Sequence, residues 1–244
     1  MSKTLLRWSH APCDAPCDDP DRLEVGLDEA GRGALCGPVF AAAVVWGRSG
    51  DLERERALRE DPRMRLVRDS KKLSPAQRDK ARAFIEAEAL AWGVASVDAG
   101  EIDRINVLKA SMRAMRLSLD ALLCGGSSKT LEEGLVPGLL VVDGDRFEGY
   151  VDPRTDGFVP YACVPEADSL YLSVAAASIL AKTHRDELVV RTLHPAFPIY
   201  GWDRNKGYGT AAHIRAIAEH GACPHHRRSF APIKPKFDAL RSEV

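Results

Sequence analysis

The sequence predicts an α/β fold with an open sheet, and three features point to it. Strand-length apolar runs at 23–27, 38–46 and 139–142 are separated by longer segments whose apolar residues recur at helical spacing. Two of these runs end abruptly in carboxylates, Asp28-Glu29 after the first and Asp143 after the third. Strand tips are where open α/β sheets place ligands. The strongest helical stretch, 169–193, then follows Asp168, with Ala175-Ala176-Ala177 near its start.

In chain order, residues 1–20 contain Ala-Pro-Cys-Asp twice at 11–18, and this low complexity predicts an unstructured lead-in. The run 23–27 is a strand. Asp28 to Gly33 reads as the turn that follows, because adjacent acids repel and glycines weaken regular structure. A second strand covers 38–46. Residues 48–66, dominated by Arg, Glu and Asp, form an exposed helix or loop. Ser74 before Pro75 is an N-cap signal and opens a helix to about residue 90. Weak alternation over 92–97 makes a strand. Val107, Leu108, Ala110, Met112, Met115, Leu119 and Leu122 make 106–123 an amphipathic helix, broken by Gly125-Gly126. The wholly apolar 139–142 is a buried strand, 145–160 a loop or hairpin, and 161–164 a further short strand. Asp168 takes the N-cap position of the helix 169–193, where the helix dipole favours a carboxylate. A loop over 194–209 leads to a last helix, 210–220, ended by Gly221.

At 244 residues the chain can bury a substantial core, and its 45% hydrophobic and 28% charged residues are ordinary for a soluble protein. No apolar run approaches the roughly 20 residues that cross a bilayer, and the N-terminus lacks a secretory apolar core. A cytoplasmic monomer is expected. The six cysteines are scattered, which predicts free thiols rather than a disulfide framework. Cys223 with His225 and His226 is too strained by Pro224 to favour a metal cluster. Net charge is -1, so any basic surface must be local; 201–244 leans basic.

The string Asp28-Glu29-Ala30-Gly31-Arg32-Gly33 carries the chemistry. A dinucleotide fingerprint needs a helix start after its glycines, whereas a proline and a strand-like run follow here. Metal binding fits better, since hard divalent cations take carboxylate oxygens and substrate phosphate completes the shell. Asp28, Glu29, Asp143 and Asp168 could converge in such a site, with lysines, arginines and Tyr208 as substrate contacts. The competing reading is that these acids cap helices and turns separately.

DEAGRGALCGPV (28–39), DSKKLSP (69–75), VVDG (141–144), EADSLYLSVAAASILAKTHRDE (166–187), NKGYGTAAH (205–213) and HRRSF (226–230) occur in an order that resembles the ribonuclease HII family. The resemblance spans roughly 22–234. It implies an RNase H-like fold, a mixed central sheet flanked by helices with a small helical C-terminal part. Residues 21–193 would form the catalytic domain and 194–244 the substrate-contacting helical segment. It also implies cleavage of RNA in RNA–DNA hybrids and of duplex DNA at single ribonucleotides, as in ribonucleotide excision repair. The family's acids fall on Asp28, Glu29, Asp143 and Asp168, as ligands of Mg2+ or Mn2+. Its Gly-Arg-Gly element, whose backbone senses the 2′-hydroxyl, falls on Gly31, Arg32 and Gly33, and its sugar-stacking tyrosine on Tyr208. Lys71 and Lys182 match family lysines expected near phosphates.

Asp186 is a rival for the fourth acid. A continuous helix would put it about 27 Å from Asp168 at roughly 1.5 Å per residue, so both cannot reach one centre. Asp168 is the better ligand, and Asp186 a structural partner of an arginine. The chain departs from the family in having Glu166-Ala167-Asp168 where Lys-Gly-Asp is usual. No substrate-binding domain precedes the core, which speaks against ribonuclease HIII, and 237–240 is not a convincing sliding-clamp motif. Another nuclease or integrase of this fold would lack the pairing of Gly-Arg-Gly with Tyr208, and a non-catalytic hybrid binder would tolerate loss of its acids.

Overall fold

Two parallel neighbours at the centre of a mixed sheet, β1 (Arg22–Ala30) and β4 (Val136–Asp143), place the site. The computed structural model describes residues 6–8, 22–48, 51–125 and 129–234. Strand β2 (Val39–Val45) pairs antiparallel with β1, and β3 (Ala91–Val97) antiparallel with β2. On the other side, β4 and then β7 (Tyr161–Val164) run parallel to β1, giving the order β3-β2-β1-β4-β7. Between β4 and β7 a small hairpin, β5 (Tyr150–Asp152) and β6 (Gly157–Val159), occupies the segment expected to be loop or hairpin.

Side-chain alternation sends successive residues to two cores. Leu23, Val25 and Leu27 pack with Ala41 and Ala43 beneath α3 (Ala99–Ile105) and α4 (Val107–Cys124). Ala42 and Val44 face α2 (Pro75–Glu88) and α5 (Leu172–Leu188) on the opposite side. Helix α2 starts on the expected Ser74, with a full capping box to Gln77. The charged stretch forms α1 (Leu52–Glu60) and a 3-10 turn, Pro62–Leu66. After α5 the chain makes a π-turn over Val189–Leu193, then α6 (His194–Ala196), α7 (Trp202–Asn205) and α8 (Ala211–His220). These bury Leu193, Tyr200, Trp202 and Ile217 against Leu35 and Cys36 in a core of their own.

The structure corrects three expectations. Strand β1 does not end before Asp28; its ladder continues through Asp28↔Ala42, Glu29↔Ala41 and Ala30↔Phe40, because β2 supplies backbone partners that the local string does not reveal. Asp168 is not the N-cap: it lies in a 3-10 turn, Ala167–Ser169, and Tyr171 precedes α5. Helix α3, capped by Asp98, was not anticipated. Of the predicted lead-in only residues 6–8 are described, with Arg7 bridging Tyr171; the rest, and 237–240, lie outside the described residues. Cys36, Cys124, Cys163 and Cys223 are free thiols. Among the described residues no helix is long and apolar enough to cross a membrane.

Two strand glycines set the depth of this packing. A Cβ on Gly26 would lie 2.2 Å from the Ser173 carbonyl carbon of α5, and one on Gly93 would lie 2.3 Å from the Ser118 carbonyl oxygen of α4. Helix backbone cannot yield locally, so Gly26→Ala is expected to destabilise the fold by about 3 kcal/mol, at the upper end of overpacking costs. Urea unfolding of the variant measures this; a loss below about 1 kcal/mol would show that α5 does not rest on β1 this closely.

Candidate active site

The parallel register of β1 with β4 runs to Leu27↔Val142, so Asp28 and Asp143 emerge side by side at the same sheet edge. Asp28 is buried, and the Glu29 amide N–H donates to its Oδ1 at 2.6 Å. Asp143 accepts the Ala167 amide N–H at 2.7 Å, which ties the turn holding Asp168 to the tip of β4. All four acids have raised pKa values. Burial is the main cause for Asp28, reinforced by Glu29 and Asp143. It is also the main cause for Glu29, where the Arg32 guanidinium, 3.1 Å away, works against it. Asp143 is raised by burial and held back by the Ala167 amide, and Asp168 is raised by burial and by Asp143. Lys71 faces this cluster. Burial disfavours its charge, but Asp168, Asp28, Asp69 and Asp143 together hold its pKa above the ordinary value.

Beyond the acids the chain turns sharply at Gly31, whose φ of +93° and contact with Arg185 leave no room for a side chain: a Cβ would sit 2.0 Å from Nε. Two buried arginines hold the underside of this loop. Arg227 donates to the carbonyls of Arg32 (2.7 Å) and Gly37 (3.0 Å), and its Nη2 has no partner among the described residues. Arg185 donates to Pro38 (3.1 Å), Cys36 (3.1 Å) and Lys206 (3.0 Å). With the carbonyls drawn inward, the amide N–H groups of Arg32 and Gly33 have no hydrogen-bond partner among the described residues. Gly33 faces open space, with nothing within 4 Å of where a Cβ would stand.

Tyr208 bridges Ala34 across from this loop, and its ring lies 5.3 Å from Lys182 Nζ and 5.2 Å from the Arg185 guanidinium. Asp28, Glu29, Gly31, Arg32, Lys71, Asp143, Lys182 and Tyr208 thus line one cleft of about 410 Å³. Asp168 and Gly33 are not among the residues that line it. Asp186 is outside it and pairs with Lys182 at 2.9 Å; Arg185, the type of partner expected, is farther at 3.7 Å. Glu166 is exposed, adopts a left-handed φ of +58°, and adds to the negative field on Asp143. Sequence reasoning missed Arg185 and Arg227 as organisers of the site. Arg227 lies in the quoted HRRSF string, but nothing local marks an arginine as buried.

The donor set suits a hard cation: oxygen ligands only, with mutual repulsion that a divalent ion would relieve. Among the described residues no three acidic, histidine or cysteine side chains already close into a cage. Cations that bear on these acids include Lys71, whose charge Asp168, Asp28 and Asp143 favour, and Arg32, which pairs with Glu29 at 3.1 Å.

The ribonuclease HII family model matches residues 25–233. Ribonuclease HII of Bacteroides thetaiotaomicron is 44% identical over 215 residues, covering 88% of this chain and 92% of the relative. The ribonuclease H2 of Pyrococcus horikoshii superposes with a TM-score of 0.61 at 24% identity, over 89% of this chain and 98% of that one, and so shares the fold. Bst-RNase HIII, solved in complex with Mn2+, gives 0.57 at 20% identity, over 91% of this chain and 71% of that one. The matched span contains every acid, the glycine loop and Tyr208, and the chain belongs to the ribonuclease HII family, as a hydrolase of the ribonuclease H type.

Proposed function

We propose that this ribonuclease cleaves RNA in RNA–DNA hybrids and nicks duplex DNA 5′ of single embedded ribonucleotides, leaving 3′-hydroxyl and 5′-phosphate ends. The observation that carries the reading is that Asp28, Glu29 and Asp143 line one cleft together with Arg32, whose backbone N–H, like that of Gly33 beside it, has no partner among the described residues. Asp28, Glu29, Asp143 and Asp168 would hold Mg2+ or Mn2+, and a neighbour of the same fold was solved with Mn2+. When bound, two such ions lower the pKa of an attacking water and stabilise the leaving 3′-oxygen.

The chain's own groups supply selection. The 2′-hydroxyl separates RNA from DNA at a given sugar, and the Arg32 and Gly33 amide N–H groups are free to donate to it. A side chain at Gly33 would meet nothing in the protein, so its absence serves the approach of a ligand. Tyr208 stacks on the sugar that follows the ribonucleotide. Lys71 stays charged beside the acids and can meet a phosphate oxygen. Lys182 lies 2.9 Å from both carboxylate oxygens of Asp186, and its three-donor ammonium can still give an N–H to the nucleic-acid backbone.

Duplex DNA carrying one ribonucleotide is expected to be nicked with Mg2+ or Mn2+ and left intact with EDTA. Asp143→Asn should abolish nicking while gel-shift affinity for the duplex survives; cleavage at the wild-type rate would remove Asp143 from the metal site. Tyr208→Ala should cost about tenfold in kcat/KM on the single-ribonucleotide duplex, the lower end of a lost stacking contact, and less on long hybrids. Equal losses on both substrates would remove its junction-reading role.

A further expectation concerns the metal-free protein. Folding raises the pKa of Asp28, so the fold favours its protonated form. Its stabilising effect is full below the ordinary carboxylate pKa and is lost as pH rises through the raised value. At neutral pH Asp28→Asn should therefore stabilise the metal-free protein by about 1 kcal/mol, or roughly 2–4 °C in Tm, with a flatter pH dependence. Mg2+ should raise the wild-type Tm more than that of the variant. A variant less stable than wild type in EDTA would show that the acids do not strain the apo site.

A further inference from the structure

Behind Tyr208, on the side away from the cleft, runs a buried chain of hydrogen bonds. His213 and His226 are 0% and 1% exposed and face each other, Nε2 to Nε2, at 3.1 Å. The Trp202 indole N–H can only donate, and it points at His213 Nε2 from 3.0 Å. That nitrogen is therefore the acceptor. His213 carries its proton on Nδ1 and donates it to the Tyr208 carbonyl at 2.9 Å. At the far end the Cys223 amide N–H donates to His226 Nδ1 at 3.0 Å, so His226 carries its proton on Nε2 and donates to His213. Each ring then has one tautomer, with the single Nε2 lone pair of His213 shared between the Trp202 and His226 donors, and both rings are neutral. Burial lowers the pKa of both imidazoles, in keeping with this assignment.

Tyr208 needs such a hold. It lies between Gly207, at φ +81°, and Gly209, and Lys206 before them is also left-handed at φ +52°. A tyrosine flanked by glycines has unusual backbone freedom. Its amide N–H donates to Asn205 at 2.9 Å, and its carbonyl accepts from Thr210 at 2.8 Å as well as from His213. The bond from His213 ties the tyrosine's own carbonyl to the packed interior of the C-terminal part, through Trp202 and His226, while the neighbouring carbonyls of Gly207 and Lys206 are held by the Leu35 amide N–H and by Arg185.

We propose that His213 is a positioning residue for Tyr208. Its Nδ1–H clamps the tyrosine carbonyl and so fixes the direction in which the ring enters the cleft, while Trp202 and His226 enforce the tautomer that can donate. This rests on the junction-reading role of Tyr208 proposed above.

The test is a double-mutant cycle on the full chain with the single-ribonucleotide duplex, with a long hybrid as comparison. His213→Ala is expected to lower kcat/KM on the single-ribonucleotide duplex by about 10-fold, the effect of a lost hydrogen bond at the upper end of its range, and to affect the hybrid less. His213→Asn, whose side-chain amide can donate where Nδ1–H does, should restore most of the loss. The double variant Tyr208→Ala/His213→Ala should be no worse than Tyr208→Ala. Losses that simply add, or equal losses for Asn and Ala, overturn the clamp. If Tyr208→Ala alone costs nothing, the junction-reading role falls, and the clamp is still decided by the native protein. Imidazole 15N–1H correlation spectra should show His213 protonated on Nδ1 and His226 on Nε2. A proton on His213 Nε2 overturns the clamp, whether or not any variant folds.

Discussion

A guanidinium taken out of water costs several kcal/mol unless its N–H groups find acceptors, and this fold does so twice at one place. Arg185 and Arg227 are both fully buried. Among the described residues neither has a bidentate carboxylate; Asp186 stands 3.7 Å from Arg185, and backbone carbonyls take the direct bonds. Burial and the neighbouring Arg185 push the Arg227 pKa down to about 10, which still leaves it charged at neutral pH. The carbonyls that satisfy the two arginines belong to the segments that make the cleft: Arg32, Cys36, Gly37 and Pro38 from the glycine loop, and Lys206 from the turn before Tyr208. Desolvation thus forces the loop to aim its carbonyls inward. The outward N–H groups are the consequence.

The acids pose the opposite electrostatic problem. Over the whole chain the charges nearly cancel, at -1, yet four carboxylates gather at one sheet edge, each with a raised pKa. The buried arginines lie behind the glycine loop and spend their donors on carbonyls, so they do not neutralise this cluster. Arg32, with its side chain half exposed, pairs with Glu29. The fold therefore leaves negative charge at the acids and positive charge a short way along the same cleft, at Lys182 and beneath Tyr208. A polyanion approaching with divalent cations would find both signs matched.

Much of this was legible in the sequence, and the misses share a cause. The apolar run ending in Asp143 located the tip of β4, and the Ser74-Pro75 cap and the break at Gly125 fixed two helix boundaries, because each depends on residues within a few positions. The length of β1 depends instead on its partner: two adjacent acids looked like a turn, but Ala41 and Ala42 of β2 carry the ladder past them. Asp168 beside an alanine-rich helix looked like a cap, whereas its place is set by the Ala167 amide reaching Asp143 across the sheet edge. Arg185 looked like one more polar residue near a helix end. Its burial follows from α5 lying against Gly31 and from the C-terminal part folding over it, contacts that no local pattern encodes.

The two glycines that bracket Arg32 show how fold and function divide. Gly31 is required by the fold, since its positive φ and the Arg185 side chain exclude a Cβ. Gly33 has no such need: space around it is open, and its backbone is not left-handed. A residue whose smallness nothing in the protein demands is small for something that arrives. Because Gly33 follows directly from the strand that carries Asp28 and Glu29, a sugar seated on its N–H would bring its own phosphate toward those acids by chain geometry alone. In the proposed reaction, recognition and cleavage are then linked without any moving part: the tip of β1 holds the acids, Arg185 and Arg227 hold the loop, and the reach between them is built into five residues of backbone.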